Sequence, residues 1–385
     1  MKFDGIRVLD LSLILPGPTA TLIMADHGAD VIKIETRGEG EPNRHIGQRR
    51  GDRSVYFDCT HRGKRSLTLD LKREEGREVF FALAATADVV VEAFRPGVVD
   101  RLGVGPDAVR AHNPRIVYAS ISAFGQTGPL VGRPAHDLAV EAMCGLLSNN
   151  ADADGRPVLP AMPAGDMLAA SLALAGIAMA LLRRERTGEG DYLDLAMMDS
   201  ILASMPNSMG AAFGEQRAPR RSEERIWGGN AFYRIYRCAD GEDLVLGGVE
   251  MKFVRALLTA LDREDLVALC SAPGAQQAPV VAFLEETFAS RPRAHWLAFM
   301  EDLDVCFAPV NDLREGLDLP QTRAREMVLQ DDAGNEHLGT PLKFASEPGA
   351  PVLRSPDHGE HTEALLAELG YDAAAIDALR RDGVC

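Results

Sequence analysis

Short apolar runs alternate with helix-length segments over the first half of this chain, and this alternation constrains the fold more than any other feature. The runs are rich in Val, Ile and Leu, as is typical of strands buried on both faces. They span residues 6–12, 29–35, 65–71, 88–94 and 115–125. Strands separated by helices usually pair in parallel. The sequence therefore predicts an α/β fold with a parallel sheet covered by helices on both faces.

A second domain is expected because 385 residues exceed what one hydrophobic core usually supports. The arginine-rich stretch 214–225 (GEQRAPRRSEER) is interpreted as a linker. Beyond it, residues 231–249 predict a hairpin with Asp240 and Gly241 at its turn, and VCFAPV at 305–310 predicts another strand. The last segment, 359–385, predicts one or two helices with Thr362 or Asp372 as the N-cap.

Charge excludes one class of partner. The formal net charge of −16 argues against non-specific binding to nucleic acid, which needs a cationic surface. Residues 44–65 are the exception, with seven Arg or Lys against two Asp, a local net charge of +5. Such a basic segment is either a solvated face or a binding site for a phosphorylated small ligand.

Dinucleotide binding is disfavoured. Glu35 ends the second predicted strand, where a ribose-binding acid would lie. The loop after the first strand, ILPGPTAT, however, lacks the GxGxxG turn.

Cysteine usage and apolar runs bear on the compartment. The six cysteines are scattered without CxxC pairs, so no metal or disulfide framework is expected and a reducing compartment fits. The N-terminus resembles a strand rather than a signal peptide. The apolar run Met167–Leu182 is short for a bilayer span of roughly 20 residues and predicts a buried core helix. We therefore predict a cytoplasmic protein without membrane contact.

Three residues are candidates for catalysis: His136, Asp166 and Glu250. His136, in GRPAHDLAVEAMCG, could be a base, a helix-start residue or a satisfied bystander. Asp166 opens the long apolar helix, where it could be an N-cap, but a helix N-terminus can also stabilise a developing oxyanion. Glu250 lies where a strand gives way to a helix and could equally be an exposed first-turn acid.

Several segments resemble a known family, the family III coenzyme A transferases, the group that includes α-methylacyl-CoA racemase. They are GIRVLDLSLILPGPTATLIMADHGADVIKIE, HRGKRSLTLDLK, FRPGVVDRLGVG, NPRIVYASISAFGQTGP and GEHTEALLAELGY, and they occur in the family's order. The resemblance implies a Rossmann-like large domain built from both chain ends, a small α+β domain and an interlocked homodimer. The expected boundaries are 1–213 (large domain), 214–225 (linker), 226–325 (small domain) and 326–385 (return to the large domain).

The resemblance also implies roles for the three candidates. Asp166 matches the family aspartate, which in transferases attacks the acyl-CoA thioester and in racemases shares an α-proton with a histidine. His136, in AHD, lies thirty residues before Asp166, as the racemase histidine does. Glu250 then orients His136, and the backbone N–H groups of Asp166 and Met167 bind the oxyanion. Asp137 is expected to cap the helix that follows it.

Coenzyme A is expected as part of the substrate, with no tightly bound cofactor and no metal. Arg95 and Arg101 suit its phosphates, because guanidinium groups match phosphate oxygens. The family pattern transfers coenzyme A contacts to Arg37, Asp70, Leu71, Lys72, Ala93, Phe94, Arg95, Arg101, Ala135, Asp137, Gly165 and Met167.

Three functions remain open at this point. The leading hypothesis is a racemase or epimerase that acts on a 2-methylacyl-CoA. The alternative is an acyl-CoA:carboxylate CoA-transferase with Asp166 as nucleophile, and the third is a CoA-binding scaffold without activity. GDMLAAS replaces the GDFGGG of the racemases, and Val140 stands where they often have an aromatic residue, so a different acyl pocket is expected.

Overall fold

The computed structural model describes residues 1–152, 154–220 and 223–385. They form two compact units: a large unit of Met1–Met205 with Gln321–Cys385, and a small unit of Pro206–Pro320. The segment 214–225, expected as a linker, falls within the range of the small unit, and its residues 221 and 222 lie outside the described part of the chain. The chain returns to the large unit at Gln321, five residues before the expected position.

In chain order, the strands are β1 (Arg7–Asp10), β2 (Asp30–Glu35), β3 (Arg49–Arg50), β4 (Arg53–Ser54), β5 (Arg65–Thr68), β6 (Val89–Glu92), β7 (Val117–Ser122), β8 (Tyr192–Ala196), β9 (Tyr233–Arg237), β10 (Asp243–Gly247), β11 (Phe307–Pro309), β12 (Val328–Gln330) and β13 (Glu336–Leu338). The helices are α1 (Pro16–Asp26), α2 (Val55–His61), α3 (Glu74–Ala84), α4 (Val98–Arg101), α5 (Pro106–His112), α6 (Asp137–Met143), α7 (Leu146–Asn149), α8 (Ala164–Thr187), α9 (Met197–Ala203), α10 (Met251–Ala260), α11 (Ala278–Ala289), α12 (Arg293–Met300), α13 (Leu313–Asp318), α14 (Pro320–Ala324), α15 (Thr362–Glu368) and α16 (Ala373–Arg381).

A six-stranded parallel sheet forms the centre of the large unit, in the order β5-β2-β1-β6-β7-β8. Each of the five apolar runs contributes one of its strands, so the predicted parallel sheet is confirmed. Counted along the sheet alone, the order is 3-2-1-4-5-6, and the direction of strand addition reverses between β1 and β6. Ligands of open α/β sheets bind at such a reversal, beyond the carboxyl ends of the strands.

Both faces of the sheet are buried, as the unbroken apolar runs predicted. Along β1, Val8 packs with α1 and α8 on one face, whereas Leu9 packs with α3 and α5 on the other. The C-terminal helices add Leu365, Leu366 and Ile376 to the Leu9 side. Full burial of one such aliphatic side chain contributes about 1.5–3 kcal/mol. The two ends of the chain therefore share one core.

Helix ends differ in detail from the sequence predictions. Helix α8 begins at Ala164, so Asp166 lies within its first turn and is not its N-cap. Gly188 ends the helix at a φ of +77°, as expected of a C-cap glycine. In the tail, Asp372 accepts a hydrogen bond from the Ala375 N–H and caps α16, while Thr362 is already inside α15.

Helix α8 is buried on one side only, so the prediction of a buried core helix is wrong for its other face. Ala169, Ala170 and Ile177 pack in the core, whereas Met179 and Leu182 are 71% and 63% exposed. Among the described residues, α8 is the one helix long and apolar enough to cross a membrane by length and composition. The core helix of a soluble protein meets the same criterion.

Five of the seven cations in the basic segment 44–65 form ion pairs inside the large unit. Arg62 pairs with Asp26 at 2.5 Å, with both side chains 2% exposed. Lys64 pairs with Asp10 at 2.9 Å, and both side chains are fully buried. At these residues the segment is neither a solvated face nor a free phosphate site, because acids distant in sequence neutralise it.

The small unit contains the expected hairpin. Strands β9 and β10 pair antiparallel, and Gly241 lies between them with a φ of +82°. Strand β11 pairs with β10 within the predicted VCFAPV segment. Helices α10, α11 and α12 contribute to a core that includes Phe232 and Phe288.

Candidate active site

A cavity of about 860 Å³ lies where the direction of strand addition reverses. The segments that follow the carboxyl ends of β1, β6 and β7 form much of its wall, and the region before and within α6 closes it. Its lining is largely apolar, with four titratable residues: Arg95, Arg133, His136 and Asp166. Concave, mostly apolar sites with a few polar groups are typical of ligand pockets.

His136 and Asp166 line this one cavity. His136 immediately precedes α6 with an extended backbone and is exposed. It occupies the N-cap position, but its side chain makes no capping hydrogen bond. Asp166 lies in the first turn of α8 and is partly buried. The fold thus brings together two candidates that the sequence separates by thirty residues.

Two further acids surround the first turn of α8. The Asp166 N–H donates to Asp137 Oδ1 at 3.1 Å, and the Ala164 N–H donates to Glu141 Oε1 at 2.9 Å. Glu141 is fully buried, and one of its oxygens has no hydrogen-bond partner. We call Asp137, Glu141 and Asp166 the carboxyl cluster.

The carboxyl cluster changes the acidity of Asp166. Burial, followed by the charges of Asp137 and Glu141, raises the pKa of Asp166 to about 7. Like charges held close together cannot both ionise easily, and burial penalises the charged form further. At neutral pH this carboxyl group therefore populates both protonation states, as a residue that both donates and accepts protons requires.

The backbone N–H groups expected to bind an oxyanion already have acceptors. The Asp166 N–H donates to Asp137, and the Met167 N–H donates to the Pro163 carbonyl at 3.1 Å. Asp137 therefore caps α8 rather than the helix it begins. Gly165 packs behind this contact, since a Cβ atom there would lie 2.9 Å from Asp137 Oδ1.

The expected coenzyme A contacts fall into three groups. Ala93, Phe94, Arg95 and Ala135 line the cavity together with the two catalytic candidates. Asp137, Gly165 and Met167 lie around the first turn of α8. Arg37, Asp70, Leu71, Lys72 and Arg101 lie outside the cavity wall, in segments that follow the carboxyl ends of β2, β5 and β6.

The loop after β5 is held by the end of the chain. The Asp70 N–H donates to the Val384 carbonyl at 2.8 Å, and Arg77 donates to the Lys72 carbonyl at 3.0 Å. Arg37 extends close to Gly383. The cavity and this second group of predicted coenzyme A contacts therefore lie along the same edge of the sheet, beyond the carboxyl ends of its strands.

Sequence reasoning missed Ile14, Glu41, Tyr56 and Glu141. Burial, followed by the charges of Asp166 and Glu41, raises the pKa of Tyr56 to about 12. Glu141 could have been found, because it follows Asp137 by four residues and lies on the same helix face. The others carry no local signal, since their neighbours come from distant segments.

Two other acids occupy defined positions. Glu35 is buried and pairs with Arg44 at 2.6 Å, so it is not free to bind a ribose. Glu250 immediately precedes α10 in the small unit and is exposed. Its predicted action on His136 stays a prediction.

Comparison with known proteins identifies the family. Residues 3–362 match CoA-transferase family III. Acetyl-CoA:oxalate CoA-transferase of Acetobacter aceti is 36% identical, over 91% of this chain and 92% of that protein. α-Methylacyl-CoA racemase of Mus musculus is 31% identical, over 100% and 97%.

A solved structure agrees with this result. The crystal structure of a CaiB/BaiF family protein from Brucella suis matches with a TM-score of 0.84 and 32% identity, over 95% of this chain and 99% of that one. The fold is thus the mixed α/β fold of that protein, with a parallel central sheet flanked by helices. The chain belongs to CoA-transferase family III, whose members among its relatives include both racemases and CoA-transferases.

Proposed function

We propose that this protein is an acyl-CoA racemase or epimerase that moves the α-proton of a 2-methylacyl-CoA between His136 and Asp166. One observation carries the proposal: the two side chains line one cavity, and the pKa of Asp166 is raised to about 7. Such a pair can hold one shared proton with either member as the acid.

The reaction uses that proton in two steps. One residue removes the α-proton, and the electron pair of the C–H bond moves toward the thioester oxygen to form an enolate. The other residue delivers a proton to the opposite face of the same carbon. The raised pKa of Asp166 keeps both directions accessible, because at neutral pH this carboxyl group can either accept or release a proton. The positive end of the dipole of the 24-residue helix α8 lies beside Asp166 and favours the developing negative charge.

Coenzyme A binding follows the carboxyl edge of the sheet in this proposal. Arg95 and Arg101 contact phosphate oxygens, while Ala93, Phe94 and Ala135 border the thioester. Arg95 and Arg101 are both exposed, so their guanidinium groups can meet a ligand. Coenzyme A enters as part of the substrate, with no tightly bound cofactor.

Assembly and compartment are part of the proposal. The exposed apolar side chains Leu172, Met179 and Leu182 on the outer face of α8 suit burial against a second copy of the chain. We propose an interlocked homodimer in which Glu250 orients His136. The six cysteines are free thiols, which supports a reducing, cytoplasmic location.

A second candidate function is an acyl-CoA:carboxylate CoA-transferase. Two CoA-transferases, of Acetobacter aceti and Haloarcula marismortui, are 36% and 34% identical to this chain, against 31% for the murine racemase. In this alternative Asp166 attacks the thioester carbonyl, releases the CoA thiolate and forms a mixed anhydride. The thiolate then attacks the Asp166 carbonyl, which gives an enzyme–CoA thioester and frees the donor acid.

Deuterium incorporation separates the two functions. The enzyme is incubated with a 2-methylacyl-CoA in deuterated water, with and without a free carboxylic acid. Deuterium at Cα without the acid supports the racemase. Transfer of CoA to the acid without deuterium at Cα contradicts it. His136→Ala should abolish racemisation, whereas a transferase should largely survive this substitution.

A further inference from the structure

Ile14, in the loop between β1 and α1, has a strained backbone. Its φ is +68°, in the left-handed region. A β-branched side chain there crowds the adjacent carbonyl, so such residues are rare in this conformation. Ile14 is the one β-branched residue with a positive φ in the part of the chain that the structure describes. Conformations of this kind persist only when the surrounding structure holds them, and they concentrate at functional sites.

Two buried side chains hold the Ile14 backbone. Glu41 Oε1 accepts a hydrogen bond from the Ile14 N–H at 2.9 Å. Asn43 Nδ2 donates to the Ile14 carbonyl. Both Glu41 and Asn43 are fully buried, so neither exchanges this contact for water.

Further contacts fix this clamp of Glu41 and Asn43. Glu41 Oε2 lies 3.1 Å from the ammonium group of Lys33, which is also fully buried. Lys33 donates to the carbonyl of Ser12, two residues before Ile14. Asn43 also donates to Thr60 Oγ1 at 3.3 Å. The clamp and the loop therefore form one connected polar network.

The held residue faces the candidate active site. Leu13 and Ile14 line the same cavity as His136 and Asp166. The clamp is linked to this cavity through Ile14, whose backbone it holds. The strain at Ile14 thus occurs where an acyl group would be bound.

We propose that Glu41 and Asn43 are positioning residues that hold the Ile14 side chain against the acyl group, so that Ile14 limits the α-substituent to about the size of a methyl group. This inference rests on the proposed function for the kind of ligand. A hydrophobic pocket distinguishes ligands that differ by one methylene by about 10–200-fold. A side chain fixed by its backbone can provide that discrimination, whereas a mobile one yields to the larger ligand.

Binding measurements test the proposal without any proton transfer. Calorimetry compares the affinities of 2-methylbutanoyl-CoA and 2-ethylbutanoyl-CoA, which differ by one methylene in the α-substituent. We expect the wild type to prefer the methyl compound at least about tenfold. Ile14→Ala should remove this preference, and Asn43→Ala should reduce it severalfold. In the double variant Asn43→Ala should add nothing, because both changes act through one side chain.

Asn113→Ala is the matched control, since the Asn113 amide also donates to backbone carbonyls, those of Ala84 and Ala87, outside the cavity. It should lower stability but leave the affinity ratio unchanged. If Asn43→Ala fails to fold, the affinity ratio is measured in Ile14→Gly instead, because glycine accepts a positive φ without strain. An unchanged ratio in both Ile14 variants contradicts the proposal. Absence of deuterium exchange with an intact ratio contradicts the proposed function alone.

Discussion

Two groups of acids in the large unit have opposite surroundings. The buried ionic network of Asp10, Lys33, Glu41 and Lys64 alternates acids with cations, and all four side chains are fully buried. The carboxyl cluster of Asp137, Glu141 and Asp166 places acids beside acids and backbone N–H groups.

The pKa values of the two groups diverge accordingly. Burial alone would raise the pKa of Asp10, but Lys33 and Lys64 hold it well below its ordinary value. Burial raises the pKa of Asp166 to about 7, and Asp137 and Glu141 add to the effect. An acid with a cationic partner stays ionised and supports the fold, whereas an acid among acids remains able to exchange a proton.

The largest expected effect is that of Asp166→Asn on activity. Removal of one member of the proton-transfer pair should lower the rate of racemisation by about 10²–10⁴-fold. Stability at pH 8 should be unchanged or higher, because repulsion from Asp137 and Glu141 is relieved. Racemisation rates and urea unfolding measure the two quantities. A loss of stability with retained racemisation would assign Asp166 to the structural acids.

Lys64→Met should lower stability and leave activity nearly unchanged, the reverse of the result expected for Asp166→Asn. It removes a cation from Asp10 and leaves a buried carboxylate incompletely paired, at a cost of about 3–5 kcal/mol in the free energy of unfolding. Exchange per folded molecule should stay close to that of the wild type. Arg263→Met is the control, because its pair with Asp265 lies at the surface, where solvent screens it, and its loss should lower stability far less. Equal losses of stability in Lys64→Met and Arg263→Met would contradict the structural role assigned to the buried ionic network.

Asp137→Asn should shift the pH profile. Asparagine keeps the oxygen that accepts from the Asp166 N–H but removes a negative charge, so the pKa of Asp166 should fall below about 7. In the direction in which Asp166 donates the proton, activity needs its protonated form and is lost as pH rises through the pKa of Asp166. The alkaline limb of the kcat/KM profile should therefore move to lower pH. A shift to higher pH would contradict the assigned electrostatics.

The wild-type stability profile follows from the same shift. Folded Asp166 titrates at about 7, against 3.8 for an ordinary aspartate, so between these values the folded state binds more protons than the unfolded state. The contribution of Asp166 to stability is present below about pH 4 and is lost as pH rises to about 7. In Asp137→Asn this loss should be smaller and completed at lower pH.

Glu141→Gln should produce the smallest effect. Glutamine retains the oxygen that accepts from the Ala164 N–H. Because the charge of Glu141 acts on Asp166 less than that of Asp137 does, the alkaline limb should move in the same direction by a smaller amount. A larger shift than in Asp137→Asn would reverse this order.

The comparison also explains what the sequence could predict. Unbroken apolar runs such as 88–94 predict buried parallel strands, because burial on both faces is a local pattern. The basic segment 44–65 could not be interpreted in this way, because its buried cations Arg62 and Lys64 pair with Asp26 and Asp10, which lie 36 and 54 residues away in sequence. Pairing of this kind is decided by tertiary contacts.

The candidate site also combines features that could be predicted from the sequence with features that could not. Family resemblance paired His136 with Asp166, and both residues line one cavity, while their catalytic roles stay predictions. The start of α8 was predicted at Asp166, two residues too late, since the helix begins at Ala164. The carboxylate that caps it comes from Asp137, which lies outside the helix. The clamp on Ile14 has no sequence signature, since Glu41 and Asn43 meet it only in the folded chain.

The titration of Asp166 itself tests the central claim most directly. Protein labelled with ¹³C at aspartate side-chain carboxyl groups is titrated by NMR, and the Asp166→Asn variant identifies the resonance. We predict a titration midpoint near pH 7 for the Asp166 carboxyl group. A midpoint near pH 4, the range of an ordinary aspartate, would contradict it.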